Sequence, residues 1–144
     1  MASQKSMVPV KQMTEAEIQL LKVTWKKATG NGEIGIDIYN RLFYIKPKLR
    51  AFIKKDVGIH AQFFVSQTTH LIENIHQWGK LNHELVRPAI NHDLYGVTSA
   101  DFEYYFNAVI FGLKTHLKSD FNSDVIDVWT KFFSMIADEM NESQ

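Results

Sequence analysis

Cysteine is absent from this sequence, which excludes disulfide frameworks, thiolate metal sites and cysteine nucleophiles. Net charge is absent too: sixteen basic residues balance sixteen acidic ones. Neither nucleic acid nor an anionic membrane is therefore expected as the main partner. Long apolar runs are missing. Ala108 to Phe111, continued by Gly112 and Leu113, is the longest, and a spanning helix needs about 20 such residues. The N-terminus carries a lysine with no apolar stretch behind it, so no secretory leader is expected and a cytoplasmic protein is. Internal repeats and sustained period-two alternation are absent, and the latter argues against strands. No His-Glu-x-x-His, Gly-x-Ser-x-Gly, phosphate-binding glycine loop or EF-hand spacing occurs, which leaves hydrolase and phosphoryl-transfer chemistry without support.

What remains is 144 residues with 45% apolar and 12% aromatic content, enough for one domain with one core. Residues 1–13 read as a flexible polar tail, and residues 14–144 as the domain. Thr14 with Glu17 three positions on has capping-box spacing and opens a helix whose apolar side carries Ile18, Leu21, Val23 and Trp25. Gly30-Asn31-Gly32 stops it. A second helix runs from Glu33 through Ile34, Ile38, Leu42 and Phe43 to Pro47, which lacks an amide donor. A short helical piece, Lys48 to Ile53, follows. Val57, Ala61, Phe64, Val65, Leu71, Ile72 and Ile75 recur at three and four along a longer helix broken by Gly79. Pro88 leads into a brief turn of helix ending at Tyr95-Gly96. Ser99 caps a helix bearing Phe102, Phe106, Val109, Ile110 and Leu113. Ser119 to Ser123 turns the chain into a last helix with Val125, Val128, Trp129, Phe132, Phe133 and Ile136. The expected class is all-α, with six to eight short-jointed helices.

With no cysteine, the six histidines are the candidate ligands. His76 and His83 fall at a polar helix join, and His116 near a helix end where an imidazole meets unpaired carbonyls. At 100° per residue, His70 points away from the side that His60 faces. His60 sits one turn before Phe64 on an inward face, and His92 closes the turn begun by Pro88. Pattern alone leaves each of these two open, as a hydrogen-bonded core histidine or as a ligand. Lys46, Lys48, Arg50, Lys54 and Lys55 form a basic run, readable as a solvated face or as partners for an anionic cofactor. Phe43, Phe52, Phe63, Phe64, Phe102 and Phe106 serve either as core packing or as the wall of a flat apolar pocket.

Four stretches from Thr14 to Met140 resemble the globin family. Thr14-x-x-Glu17-x-x-x-Leu21-x-x-x-Trp25 resembles a globin first helix. Leu42-Phe43 with Pro47 and Phe52 resembles the passage into the aromatic corner against haem. Asn91-His92-Asp93-Leu94-Tyr95-Gly96-Val97 with Phe102 is similar to the proximal-histidine stretch. Val128-Trp129-x-Lys131-x-Phe133-x-x-Ile136-Ala137 resembles the last helix. The pattern is similar to that of single-domain bacterial globins of the flavohaemoglobin-like kind, and of neuroglobin- and cytoglobin-like chains. The joint from Phe52 to His60 is shorter than in vertebrate globins.

The resemblance implies a globin fold around haem b, iron protoporphyrin IX. It places His92 as the proximal ligand of the iron and His60 on the distal side as a possible sixth ligand. Tyr39, eight residues before Pro47, falls at a distal position held by tyrosine in flavohaemoglobin-like globins. Phe64 falls over the iron, while Phe43, Phe52, Val97 and Phe102 line the pocket. Phe63 stands where a basic residue often meets a propionate. The implied function is reversible binding of dioxygen and other diatomic ligands such as NO and CO, for storage or transport. NO dioxygenation with a separate reductase, or haem-based sensing, are the alternatives. The expected assembly is a monomer or homodimer.

Overall fold

A computed structural model of the chain describes residues 13–53, 56–78 and 99–143. Among them are five α-helices: α1 (Glu15–Ala28), α2 (Ile34–Ile45), α3 (Val57–Glu73), α4 (Ser99–Leu117) and α5 (Ser123–Ser143). Short 3-10 turns cover Pro47–Phe52, Ile75–Gln77 and Lys118–Asp120. No strand occurs among the described residues, and none of their helices is long and apolar enough to cross a membrane. The fold is all-α. The turn expected after Pro88, and the tail before Met13, lie outside the described residues.

Local chemistry explains the boundaries. The capping box forms: the Thr14 amide donates to Glu17 Oε1 at 2.8 Å, and the Glu17 amide donates to Thr14 Oγ1 at 3.1 Å. Such a cap stabilises a helix by about 1 kcal/mol. Met13 and Ile18 occupy the two hydrophobic-staple positions around it, and both are buried. Gly32 adopts φ 76°, the left-handed region that lets the chain reverse after α1. Asp56 caps α3 by accepting from the Ile59 amide. The α3 helix ends earlier than Gly79. Asn74 terminates it, its backbone amide and side-chain amide both donating to the His70 carbonyl.

The helices cross closely where glycine removes a side chain. A Cβ at Gly35 would stand 3.0 Å from Val65 Cγ2 and 3.1 Å from the Ala61 carbonyl oxygen, so α2 and α3 touch backbone to backbone there. A Cβ at Gly112 would meet Ile38 Cγ1 at 2.9 Å and Ile34 Cγ1 at 3.2 Å, so the α4 backbone presses on the isoleucine side chains of α2. Thus α2 is clamped between α3 and α4, while α1 packs on α4 and α5.

The core between α1, α4 and α5 is aromatic. Trp25 and Trp129 meet at 5.3 Å with their rings tilted by 51°, and Trp129 contacts Phe132 and Phe133. Both indoles are satisfied: Trp25 Nε1 donates to Thr69 Oγ1 at 2.8 Å and Trp129 Nε1 to Thr24 Oγ1 at 3.0 Å. Thr24, a buried polar residue, passes its own proton to the Leu20 carbonyl. Trp78 is equally buried, yet its Nε1 has no hydrogen-bond partner among the described residues. Val23 departs from expectation. At 52% exposure it faces solvent, because 200° of helical rotation separates it from Leu21.

Candidate functional site

The clamp on α2 fixes the site. Gly35 docks beside Ala61, and one turn further along α2 Tyr39 arrives beside His60, the residue before Ala61. The Tyr39 and His60 ring centroids lie 5.4 Å apart at 63°. Phe64, one turn along α3, stands 5.8 Å from Tyr39, and Phe43, one turn along α2, stands 6.0 Å away. Both are edge-to-face contacts, the arrangement that aromatic quadrupoles favour. Tyr39 is fully buried, His60 half-buried, and both Tyr39 Oη and His60 Nε2 are shielded from solvent.

Four of the residues singled out in the sequence therefore meet: Tyr39, Phe43, His60 and Phe64. Phe102 is buried in another direction, its ring 5.4 Å from Phe133 on α5, and Phe106 joins it at 5.2 Å. Phe63 is 39% exposed. Phe52 ends the 3-10 turn, and its side chain, like His92 and Val97, lies outside the described residues.

The structure adds Tyr105, which sequence reasoning passed over. It is buried, 6.2 Å from Tyr39 and 6.3 Å from Phe64. Its signal lay in the helical period of α4. Tyr105 stands three residues after Phe102, so its ring emerges 60° round the helix from the Phe102 face and turns to α2 and α3.

Two other histidines have partners away from the site. His76 is exposed and its Nε2 lies 2.7 Å from Glu15 Oε2. His116 does not meet helix-end carbonyls. Its Nε2 sits 2.7 Å from Asp37 Oδ2, joining α4 to α2 with little side-chain exposure. His70 is exposed on the side of α3 away from the site, and His83 lies outside the described residues. In the basic run, the Lys46 ammonium stands 4.7 Å over the Tyr104 ring, and the Arg50 guanidinium 5.6 Å over Phe43 while donating to the Ile53 carbonyl. Lys54 and Lys55 lie outside the described residues.

Among the described residues no three His, Asp or Glu side chains come together as a cage for a bare ion. A flat apolar ligand with its own metal asks for something different: aromatic wall, and imidazole as a neutral nitrogen donor. Tyr39, Phe43 and Phe64 around His60 provide that chemistry, so the residues present fit a metalloporphyrin.

The described helices are thus all α, with the His60 imidazole held against the Tyr39 ring where α2 and α3 are clamped. The family model described as Globin matches residues 36–140, well over half of the chain. The chain belongs to the globin family. Among solved structures it is similar to a hexacoordinated heme protein from an anhydrobiotic tardigrade, with 18% identity, TM-score 0.74, and coverage of 90% of this chain and 94% of that one. The CO form of hemoglobin from Mustelus griseus has 19% identity and TM-score 0.71, covering 89% and 97% of the two chains. Its deoxy form has 20% identity and TM-score 0.72, covering 90% and 96%. No curated protein sequence matches the chain.

Proposed function

We propose that this globin holds haem b and reversibly binds dioxygen and other diatomic ligands for oxygen binding, storage or transport. The observation that carries the reading is the His60 imidazole with its Nε2 shielded from solvent, packed on the Tyr39 ring between α2 and α3. When bound, the haem supplies an iron centre with an exchangeable coordination position. His92 would hold the iron through its imidazole, and His60 would stand near the ligand or supply a second imidazole. Phe43, Phe64 and the edge of Tyr39 form an apolar wall that excludes water. Tyr39 and His60 each bring a proton donor to the distal side, where a ligand that gains negative charge on binding is held by charge-assisted hydrogen bonds. Each such bond contributes roughly 1.5–3 kcal/mol, or about one to two decades in off-rate.

Hemin titration tests the reading. The purified protein should take up one equivalent and develop a sharp haem band, and His92→Ala should lose stable uptake. His60→Leu should keep the haem while changing the visible spectrum and the oxygen off-rate. Protein that stays colourless with hemin overturns the proposal. Rapid mixing of the oxygenated protein with NO, with and without a reductase, reads the enzymatic alternative. Sustained turnover to nitrate would replace carriage by NO dioxygenation.

A further inference from the structure

A cleft of about 460 Å³ lies between α1 and α3, away from the site described above. Ligand pockets run from about 300 to 1,000 Å³, so it has room for a small organic molecule. Lys22, Trp25 and Lys26 line it from α1, and Thr69, Ile72 and Glu73 from α3. Spacings of three and four on both helices make each set one stripe. Thr69 follows His60 by nine residues, which carries it half a turn round α3 to the opposite side. The cleft thus opens on the back of the helix whose front carries His60.

Its lining is chemically divided. Trp25 and Ile72 are buried and form an apolar floor. The Trp25 indole donates to Thr69 Oγ1 at 2.8 Å, which leaves the Thr69 hydroxyl its own proton to donate. Lys22 is half-buried, while Lys26 and Glu73 are exposed at the rim. Ion pairs among the described residues engage Lys27, His76, His116 and Lys131, and none of them includes Lys22, Lys26 or Glu73. Charges of both signs therefore border one cleft without closing it. Two ammonium groups against one carboxylate favour a bound anion. We infer that this cleft is a binding site for a small organic monocarboxylate with an apolar body. The ligand carboxylate meets Lys22 and Lys26, and its body lies on Trp25 and Ile72. Glu73, on the opposite wall, repels a second carboxylate.

The test is a proton–nitrogen NMR titration of the full chain as purified, with benzoate as the probe. The reporter is the Trp25 indole N–H, identified as the resonance lost in Trp25→Phe. Benzoate should shift it saturably. Benzyl alcohol, the same ring without the charge, should bind about tenfold more weakly, the scale of one charge-assisted hydrogen bond. Lys22→Gln combined with Lys26→Gln should weaken benzoate by a similar factor. Lys48→Gln combined with Lys114→Gln removes two exposed lysines elsewhere and should change nothing. Terephthalate, with a second carboxylate opposite the first, should bind less well than benzoate, and Glu73→Gln should remove that difference. An unmoved Trp25 resonance overturns the inference, as does equal affinity for benzyl alcohol, which would make the cleft an apolar crevice. Equal losses in the two lysine pairs overturn it as well, and terephthalate binding as tightly as benzoate overturns the choice of a monocarboxylate. None of these readouts passes through the iron, so hemin that fails to bind overturns the functional reading alone.

Discussion

Helix α4 feeds two aromatic clusters that differ in what their rings carry. On one side Phe102 and Phe106 join Phe133, Trp129 and Trp25, and the two indole N–H groups are answered by threonines of α1 and α3. On the other side Tyr105 joins Tyr39, Phe43, Phe64 and His60, where three of the five rings carry an atom able to exchange a proton. The first cluster is a core whose indole donors are answered by threonines, and the second gathers its polar rings beside His60, the residue on which the proposed function rests.

The contrast is sharpest at Trp129. Trp129→Ala should cost about 3–5 kcal/mol in denaturant unfolding, since the ring is fully buried among three others. A loss below about 1 kcal/mol would erase the distinction between the clusters. Tyr39→Phe, by contrast, should leave stability within about 1 kcal/mol. Its effect should appear in function, with oxygen dissociation at least severalfold faster in stopped-flow, up to the roughly 1.5–3 kcal/mol of a charge-assisted bond. Thr24→Val keeps the shape of the side chain but strips the acceptor from Trp129 Nε1. It should destabilise by about 1–3 kcal/mol, the cost of an orphaned buried donor.

Smaller effects lie at the edges of the core. The Glu17 carboxyl is held below its ordinary pKa, first by its hydrogen bond from Lys131 at 2.5 Å and then by the Thr14 amide. A depressed folded-state pKa means that the unfolded chain binds the proton more readily. The associated stability is therefore present above the ordinary carboxylate range and is lost as pH falls through it. Glu17→Gln should flatten that acid limb in thermal unfolding between neutral and acid pH. The smallest change is expected at Trp78, whose buried Nε1 has no hydrogen-bond partner among the described residues. Trp78→Phe should shift the unfolding midpoint little, because the lost ring volume is offset by removal of an unanswered donor.

Much of the fold was legible in the sequence because its signals are local. Thr14 and Glu17 announce a cap whose two hydrogen bonds close within four residues, and Gly30-Asn31-Gly32 announces a stop that positive φ at Gly32 fulfils. The apolar spacing in α3 gave its length, but not its end. Asn74 competes for the His70 carbonyl through its side chain, a hydrogen bond that periodicity does not register. Of the candidate site, Phe43, His60 and Phe64 were legible as inward positions of two helices, and Tyr39 only through the family resemblance. Tyr105 was not, since the stripe of Phe102 and Phe106 on the same helix masks it.

By itself the sequence determined which helices form and which face of each is apolar, because capping, chain reversal and helical period act over a few residues. Only the tertiary structure decided which apolar residues share a cluster. Whether Phe102 or Tyr105 stands beside Tyr39, and whether His116 meets a carbonyl or Asp37, depends on how helices distant in the chain are rotated against one another. That rotation is set by close approach at Gly35, which lies against the Ala61 backbone, and at Gly112, which lies against the Ile34 and Ile38 side chains. A glycine in a helix has no periodic signature of its own, so its meaning as a contact emerges only when the partner helix is in place.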